Sequence, residues 1–384
     1  MEQAAGDSRA SADRARVTVT RCDGYDRDQV RAAVSEALEP LGGMAAFVRP
    51  GQRVLIKPNL LSAKDPARAV TTHPNLVEAV ALEVRRAGAE PFVGDSPGGA
   101  IRGIQRVWKN TGMEEMSRRS GVELVNFEAS GSREVRSGRY AFYIARPVLE
   151  ADCIINLAKL KTHSLTLLTC AVKNMFGVIP GFGKGEQHKL YPKPDEFADM
   201  LVHLFRLVQP SLTIVDGILA MAGNGPGSGD PYDLGLLLAG CDAVAVDAVA
   251  ADIIGFKRGS IDTTRIAAAM RLGEDNPDRI DVLGSGTGVR PDDFSLPSNL
   301  KVRLVPRAFA RLVAPLVWVK PVINPASCTG CGFCAENCPV GTITRDGGVY
   351  SIDDAHCVQC LCCHELCPEK SIEVKLSWLA RFIA

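Results

Sequence analysis

The residues of this chain whose types and spacing could do chemistry are its cysteines. Of thirteen, nine lie between positions 328 and 367, a clustering that a disulfide framework does not show and that in a reducing compartment means metal. Sliding the chain on itself brings out a duplication at a constant offset of 29. Cys328 maps onto Cys357, Cys331 onto Cys360, Cys334 onto Cys363 and Cys338 onto Cys367, and Pro339 and Ile343 map onto Pro368 and Ile372. Both halves read CxxCxxCxxxCP. Three thiolates at two-residue gaps wrap a loop around one four-iron cubane, and the fourth, set off by three residues and followed by proline, reaches the other cluster. The expected cofactors are therefore two [4Fe-4S] clusters, one held by Cys328, Cys331, Cys334 and Cys367, the other by Cys357, Cys360, Cys363 and Cys338. Cys362 breaks the spacing on both sides and is left over.

Four-cysteine zinc sites also use CxxC pairs, but a triple CxxCxxC spacing used twice with trailing prolines is foreign to them. The module resembles a bacterial two-cluster ferredoxin at all eight ligand positions. That resemblance implies a small α+β ferredoxin-like domain, and two clusters in one small module imply an electron relay. The other four cysteines, Cys22, Cys153, Cys170 and Cys241, stand apart in apolar or mixed surroundings and are expected to be small buried hydrophobes.

A second polar concentration lies in "NLAKLKTHSLTLLTCAVKNMFG", residues 156–177. Read as a strand, "CIINLAKLKTH" puts Lys159, Lys161 and His163 on one face near its C-terminal end, where open α/β sheets bind ligands. A helical continuation would line up Thr166, Thr169 or Cys170, and Lys173. "KGEQHK" adds Lys184, His188 and Lys189. Such a set suits an anionic substrate, with Lys159, Lys173 and Lys184 binding it, Lys161 polarising it, and His163 or His188 moving protons near neutral pH. Three further loops follow expected strands: "KPNLL" with Lys57 and Asn59, leading to Thr72 or His73 before Pro74 at a helix start; "GDSPGG", read as a turn with a cap; and "VDGILAMAGNGPGSGDP", with Asp216 at a strand end and Asn224 in a glycine loop that could touch substrate.

The elements that must position these residues alternate. Short β-rich runs such as "RVTVTRC", "RVLIKPNLL", "EPFVGDS" and "LTIVDGILAM" are interleaved with amphipathic stretches such as "HPNLVEAVALEVRRAG" and "DEFADMLVHLFRLVQP". This rhythm is that of an α/β fold, and strands apolar on both faces belong to a mostly parallel sheet. The expected organisation is an N-terminal tail (1–15), an α/β domain (16–300), a basic amphipathic connector (301–325), a two-cluster ferredoxin domain (326–376) and a short C-terminal tail (377–384).

Composition bounds the partners. Lysine plus arginine equal aspartate plus glutamate at 44 each, so no global charge argues for nucleic acid. The N-terminal residues lack the apolar core of an export signal, and no uncharged apolar run is long enough to span a bilayer. The expected compartment is the cytoplasm. Residues 301–320 carry five basic and no acidic residues, a pattern that packs between domains or allows peripheral membrane contact.

Taken in order, "RVLIKPNLL", "TTHP", "GDSPGG", "NLAKLKTHSLTLLTCAVKNMFG" and "VDGILAMAGNGP" ahead of a two-cluster ferredoxin resemble the family of iron-sulfur centre proteins built on a domain of unknown function. The resemblance implies an α/β domain fused to a ferredoxin and assigns no catalytic residue. The leading expectation is an iron-sulfur oxidoreductase that takes low-potential electrons from a ferredoxin or flavodoxin and passes them to an anionic substrate in the α/β domain. The alternative is a non-catalytic electron-transfer subunit docking on a partner redox enzyme.

Overall fold

The computed structural model describes residues 14–98, 104–127, 129–180, 184, 187, 190–191, 193–298, 319–336, 338, 341–347, 349–357, 363–364 and 367–377. Its strands are β1 (Ala15–Arg21), β2 (Arg53–Lys57), β3 (Glu90–Gly94), β4 (Glu123–Val125), β5 (Ser132–Ser137), β6 (Tyr140–Ala145), β7 (Cys153–His163), β8 (Leu167–Thr169), β9 (Leu212–Ala222), β10 (Asp230–Gly240), β11 (Ile280–Leu283), β12 (Val319–Ile323), β13 (Ile343–Asp346), β14 (Val349–Ile352) and β15 (Ile372–Leu376). Nine of them form one sheet, ordered β11-β1-β10-β9-β7-β2-β3-β4, with β8 paired to the end of β7. Its neighbours pair parallel except along β10 and β8. The mostly parallel α/β reading therefore holds, with β9 and β10 joined as a hairpin.

Both faces of the sheet are covered, which is why its strands are apolar throughout. In β2, Val54 and Ile56 enter one core while Leu55 enters the other; in β7, Ile155 and Leu157 take the first side and Ala158 and Leu160 the second. Helices α1 (Arg27–Leu38), α2 (Pro74–Arg86), α3 (Ile104–Asn110) and α4 (Met113–Ser120) supply the first core. After the short α5 (Arg146–Glu150) and α6 (Ala171–Asn174), helices α7 (Pro194–Leu207), α8 (Ala243–Ile253) and α9 (Asp262–Ala269) supply the second. His73 caps α2, its Nδ1 accepting the Asn75 N–H at 3.2 Å, and Pro74 takes the first helical position, where its missing N–H costs nothing.

Two local expectations change. The chain does not run from β7 into a helix: at Leu167 (φ +64°) it folds back, and β8 returns antiparallel with His163 opposite Leu167 and Lys161 opposite Thr169. Helix begins only at Ala171, because the buried Asp247 carboxylate accepts the Ala171 and Val172 N–H groups and starts the turn there. Of the four isolated cysteines, Cys22, Cys153 and Cys170 are buried, with thiol pKa values raised chiefly by burial, whereas Cys241 is exposed.

The C-terminal unit is built on the duplication. β12 pairs with β15 and β13 with β14, and the offset of 29 carries one pair onto the other: Ile323 opposite Ile372 becomes Ile352 opposite Ile343. The unit thus takes in Val319–Ile323, part of the stretch expected as connector; the rest of 301–318 lies outside the described residues. Its small core gathers Ile343, Ile372, Cys363 and Cys367.

Candidate functional site

The duplication extends to the turns that aim the cysteines. Asn324 Oδ1 accepts the Ala326 N–H at 3.0 Å and Asn324 O the Cys328 N–H at 3.1 Å; 29 residues on, Asp353 repeats both bonds to Ala355 and Cys357 at 2.9 and 3.0 Å. Asn324 N donates to Ser371 O at 2.7 Å, and Asp353 N to Thr342 O at 2.8 Å. Each half is therefore closed by the turn that follows the last cysteine of the other. Cys328, Cys331, Cys334 and Cys367 line one cavity together with Tyr350 and Ile372. Burial pushes the Cys334 thiol up to about 11, and the neighbouring Cys331, Cys367 and Cys328 thiolates add to the shift. Such crowding of one charge sign favours a cationic iron core. These four cysteines surround one space, as the separate corners of a cubane require. The donor set fits the cluster. Of the expected second set, Cys338, Cys357 and Cys363 are described, while Cys360, like Cys362, which the spacing leaves over, lies outside the described residues.

The second concentration of chemistry sits where β2, β3, β7 and β9 end. Lys57 at the end of β2 pairs with Asp95 after β3 at 2.7 Å, and the other Asp95 oxygen accepts the Leu60 N–H at 2.7 Å. Burial drives the Lys57 amine down, while Asp95 pulls it back. Gly177 is wedged against this pair: a Cβ there would stand 2.0 Å from Asp95 Oδ1 and 2.7 Å from Lys57 Nζ. In β7, Lys159 Nζ reaches Asp216 of β9 at 2.9 Å and the Tyr25 hydroxyl at 2.9 Å. Tyr25 donates to Asp216 at 2.6 Å and stacks on His73 with ring centroids 3.8 Å apart. Burial, with Asp216 close by, raises the Tyr25 pKa well above its ordinary value, so it stays a donor. Burial lowers His73 to about 4.

Two residues further along β7, Lys161 donates to Asn59 Oδ1 at 2.9 Å and Val70 O at 2.7 Å. Asn59 in turn donates to Asn174 at 2.9 Å, and Asn174 donates to Asn156 at 2.7 Å. Thr169, opposite Lys161 across the β7–β8 pair, has a buried hydroxyl with no hydrogen-bond partner among the described residues. His163 Nδ1 accepts the Leu165 and Thr166 N–H groups at 3.0 and 3.3 Å, which leaves the proton of the neutral ring on Nε2. Lys184 is buried and donates to the Ser96 hydroxyl and to the carbonyls of Ser96 and Ile179.

Measured against the expected site, Lys159, Lys161, His163 and Lys184 are all brought to the strand ends, every one of them buried. Lys159 is committed to Asp216 and so serves the architecture of the site. Lys173 is half-buried beside the Phe176 ring at 6.0 Å, Asn224 is exposed on the β9–β10 loop, and His188 lies outside the described residues. "GDSPGG" acts through the Asp95 side chain, its Ser96 and Gly98 amides being bonded to Gly177 O and Leu61 O. Sequence reasoning missed Tyr25 and Asp95 as site residues; nothing local marks either, since their partners come from β9 and β2.

The two regions meet. Lys64, in the loop between β2 and α2 that also supplies Asn59 and Val70, is buried and donates to Gly227 O at 2.6 Å. Burial, with Arg68 and Lys370 nearby, lowers its amine to about 8, while the Cys367 thiolate acts in the opposite direction. Lys370 stands 4.0 Å from Asp230, and the Arg106 guanidinium lies 5.4 Å from the centre of the Phe333 ring, on α10 (Phe333–Glu336) between Cys331 and Cys334.

A doubly covered, mostly parallel α/β sheet in contact with a two-fold cysteine unit defines an iron-sulfur electron-transfer protein with an added α/β domain. The chain belongs to the family described as "Domain of unknown function (DUF362)", which matches residues 54–252, and a "4Fe-4S binding domain" matches residues 321–344. It is 40% identical over 267 residues to a thylakoid-associated protein of Synechocystis sp., covering 67% of this chain and 79% of that one. The cysteine region is 34% identical over 62 residues to a ferredoxin of Methanocaldococcus jannaschii, covering 15% of this chain and 80% of the ferredoxin. Among solved structures, the lactate racemase apoprotein of Thermoanaerobacterium thermosaccharolyticum aligns with a TM-score of 0.38 and 11% identity over 58% of this chain and 54% of that one, a likeness too distant to carry an argument. Among the described residues no helix is long and apolar enough to cross a membrane.

Proposed function

We propose that the chain is a cytoplasmic iron-sulfur oxidoreductase that relays low-potential electrons through two [4Fe-4S] clusters to a small anionic substrate in the α/β domain. The clusters would supply one-electron transfer, which the side chains of the α/β domain cannot. The observation that carries the reading is the meeting of the two regions at Lys64: one loop holds a buried lysine within electrostatic reach of Cys367 and also seats Lys161 through Asn59 and Val70. Lys161 and Lys184 would hold the anion at the strand ends, with Lys173 at the margin, and the Thr169 hydroxyl would accept or donate one further hydrogen bond. His163, its Nδ1 occupied by two amides, would pass a proton from Nε2 to the reduced substrate. His188, from the "KGEQHK" segment, is the second candidate for that role. The electron donor would be a ferredoxin or flavodoxin. The thylakoid-associated relative, together with the basic run 301–320, supports a peripheral membrane contact.

The test is anaerobic. Reconstituted protein, reduced with dithionite, is mixed with small phosphates and carboxylates while the cluster absorbance is followed; reoxidation by one class, lost in Lys161→Met, is the expected result. Failure of every anion to reoxidise the clusters would remove the substrate from the reading. One observation favours a second reading. Lys57 and Lys159 spend their charge on Asp95 and Asp216, so two of the five buried lysines among the described residues are architectural, as they would be in a non-catalytic electron-transfer subunit docking on a partner redox enzyme. In that case Lys161→Met would leave electron delivery to a co-purifying partner intact.

A further inference from the structure

We propose that the cleft between α8, α9 and the β11 edge of the sheet is a binding site for a monocarboxylate with an apolar tail. It lies across β1 and β10 from the strand ends that hold Lys161 and shares no residue with them. Its volume is about 280 Å³, close to the lower bound for small-molecule pockets, roughly 300–1,000 Å³. Val19 of β1, Ile280 and Val282 of β11, Ile253 of α8 and, beyond it, Phe256 and Ile261 give it an apolar lining. Ile280 is buried and Val282 is 42% exposed, so this lining runs from the core out to solvent. Small residues leave the space: Ala248 and Ala251 of α8 line it, and at Gly259 and Gly288 a Cβ would meet nothing within 4 Å. Protein interiors leave few voids larger than a water molecule, which sets this cleft apart from ordinary packing.

The charged residues of the cleft decide the head group. Lys257, Arg258, Arg265 and Arg290 line it against Asp252 and Asp275, an excess of cations. Arg290 pairs with Asp252 at 2.5 Å, Arg258 with Asp275 at 3.7 Å and Arg265 with Asp262 of α9 at 3.0 Å. Lys257, exposed, has no ion-pair partner among the described residues. One ammonium over an apolar cleft matches one carboxylate on an apolar tail. The tail is drawn in by the removal of its surface from water, which tightens binding about fourfold per methylene buried. The head stays at the mouth in water, within reach of the flexible lysine stem. An exposed pair of this kind adds up to about fivefold, so the tail supplies most of the affinity and Lys257 selects the sign of the head. An alkylammonium would meet the same cation excess with repulsion.

The experiment is isothermal titration calorimetry of the full reconstituted chain with hexanoate, octanoate, octanol and octylamine, each below the concentration at which it aggregates. Octanoate should bind at one site, about tenfold more tightly than hexanoate and up to about fivefold more tightly than octanol, with octylamine weakest. Ala251→Leu, which fills the cleft from α8, should abolish octanoate binding. Val282→Asp, on an edge strand where charge is well tolerated, should weaken it about tenfold and decides the matter if Ala251→Leu fails to fold. Lys257→Glu should weaken octanoate and leave octanol unchanged. Lys161→Met, which alters the strand-end site, should bind octanoate as the wild type does; loss of binding there would place the acid at the strand ends and overturn the proposal. So would octanoate binding that survives both Ala251→Leu and Val282→Asp, octylamine binding as tightly as octanoate, a Lys257→Glu variant indistinguishable from the wild type, or binding to phosphatidylglycerol vesicles with none to free octanoate.

Discussion

The backbone N–H of Ser371 donates to Cys367 Sγ at 3.2 Å, fixing that sulfur on the cavity wall it shares with Cys328, Cys331 and Cys334. Thr342 does the same for Cys338 in the other half. On the proposed exchange of fourth ligands, Cys328→Ser and Cys367→Ser should damage the same cluster, whereas Cys328→Ser and Cys338→Ser should damage different ones. Iron and sulfide counts and EPR of the reduced protein should therefore show one cluster left in the Cys328→Ser, Cys367→Ser double variant and none intact in the Cys328→Ser, Cys338→Ser double variant. The reverse pattern would show that the ligands are not crossed.

The same register makes Cys362 the spare. Cys362→Ser should keep the wild-type iron content of about eight per chain, whereas Cys363→Ser, at a buried position packed beside Cys367 in the small core, should not. Iron loss in the first variant would shift the assignment by one residue.

The iron-sulfur unit was legible because its cysteine spacing and its repeat are both carried by one stretch of chain. The lysine-bearing strand was legible because period-two alternation survives in "INLAKLKTH". Its partners were not. Lys159 finds Asp216 because β7 lies beside β9, and Tyr25 joins them from the turn after β1; strand order is set by the packing of whole helices and leaves no mark near any of the three residues. The reversal at Leu167 was hidden for a related reason. A non-glycine residue at positive φ is locally unfavourable, and here it is imposed by pairing with His163 and by the Asp247 carboxylate, 80 residues downstream in the sequence.

Gly177 tests how tightly the Lys57–Asp95 pair is enclosed. A methyl group there meets Asp95 Oδ1 at 2.0 Å, so Gly177→Ala must part a buried ion pair or move the 3-10 turn Met175–Val178 that follows α6. Removing one partner of such a pair costs about 3–5 kcal/mol, and the substitution should cost a similar amount in urea unfolding. A loss below about 1 kcal/mol would mean that the loop relaxes freely.

Lys159 was expected to bind substrate, and its pairing with Asp216 gives a different outcome for Lys159→Met. The variant should be destabilised by about 3 kcal/mol or more, because a buried carboxylate loses its charge partner. Lys159→Met with Asp216→Asn should recover part of that loss. Full stability of the single variant, with weakened anion-driven reoxidation, would return Lys159 to the substrate.

His73 gives the acid side of the stability curve a defined sign. Burial lowers its folded pKa from 6.5 to about 4, against the pull of Asp216 and Asp65 and with the help of Lys159. The unfolded chain therefore binds more protons between those values, and stability from this residue, complete above pH 6.5, is lost as pH falls through 4. At roughly 1.4 kcal/mol per unit, the contribution is about 3 kcal/mol. Asp247 acts in the opposite sense: burial raises its folded pKa from 3.8 to about 6, so its contribution falls as pH rises through the same window. His73→Asn keeps a good helix cap and removes the imidazole. Its stability deficit against the wild type should grow by up to about 3 kcal/mol between pH 4 and 6.5, whereas Asp247→Asn should gain on the wild type over that interval. Urea unfolding at several pH values measures both differences, and a His73→Asn deficit independent of pH would mean that the folded and unfolded imidazoles titrate alike.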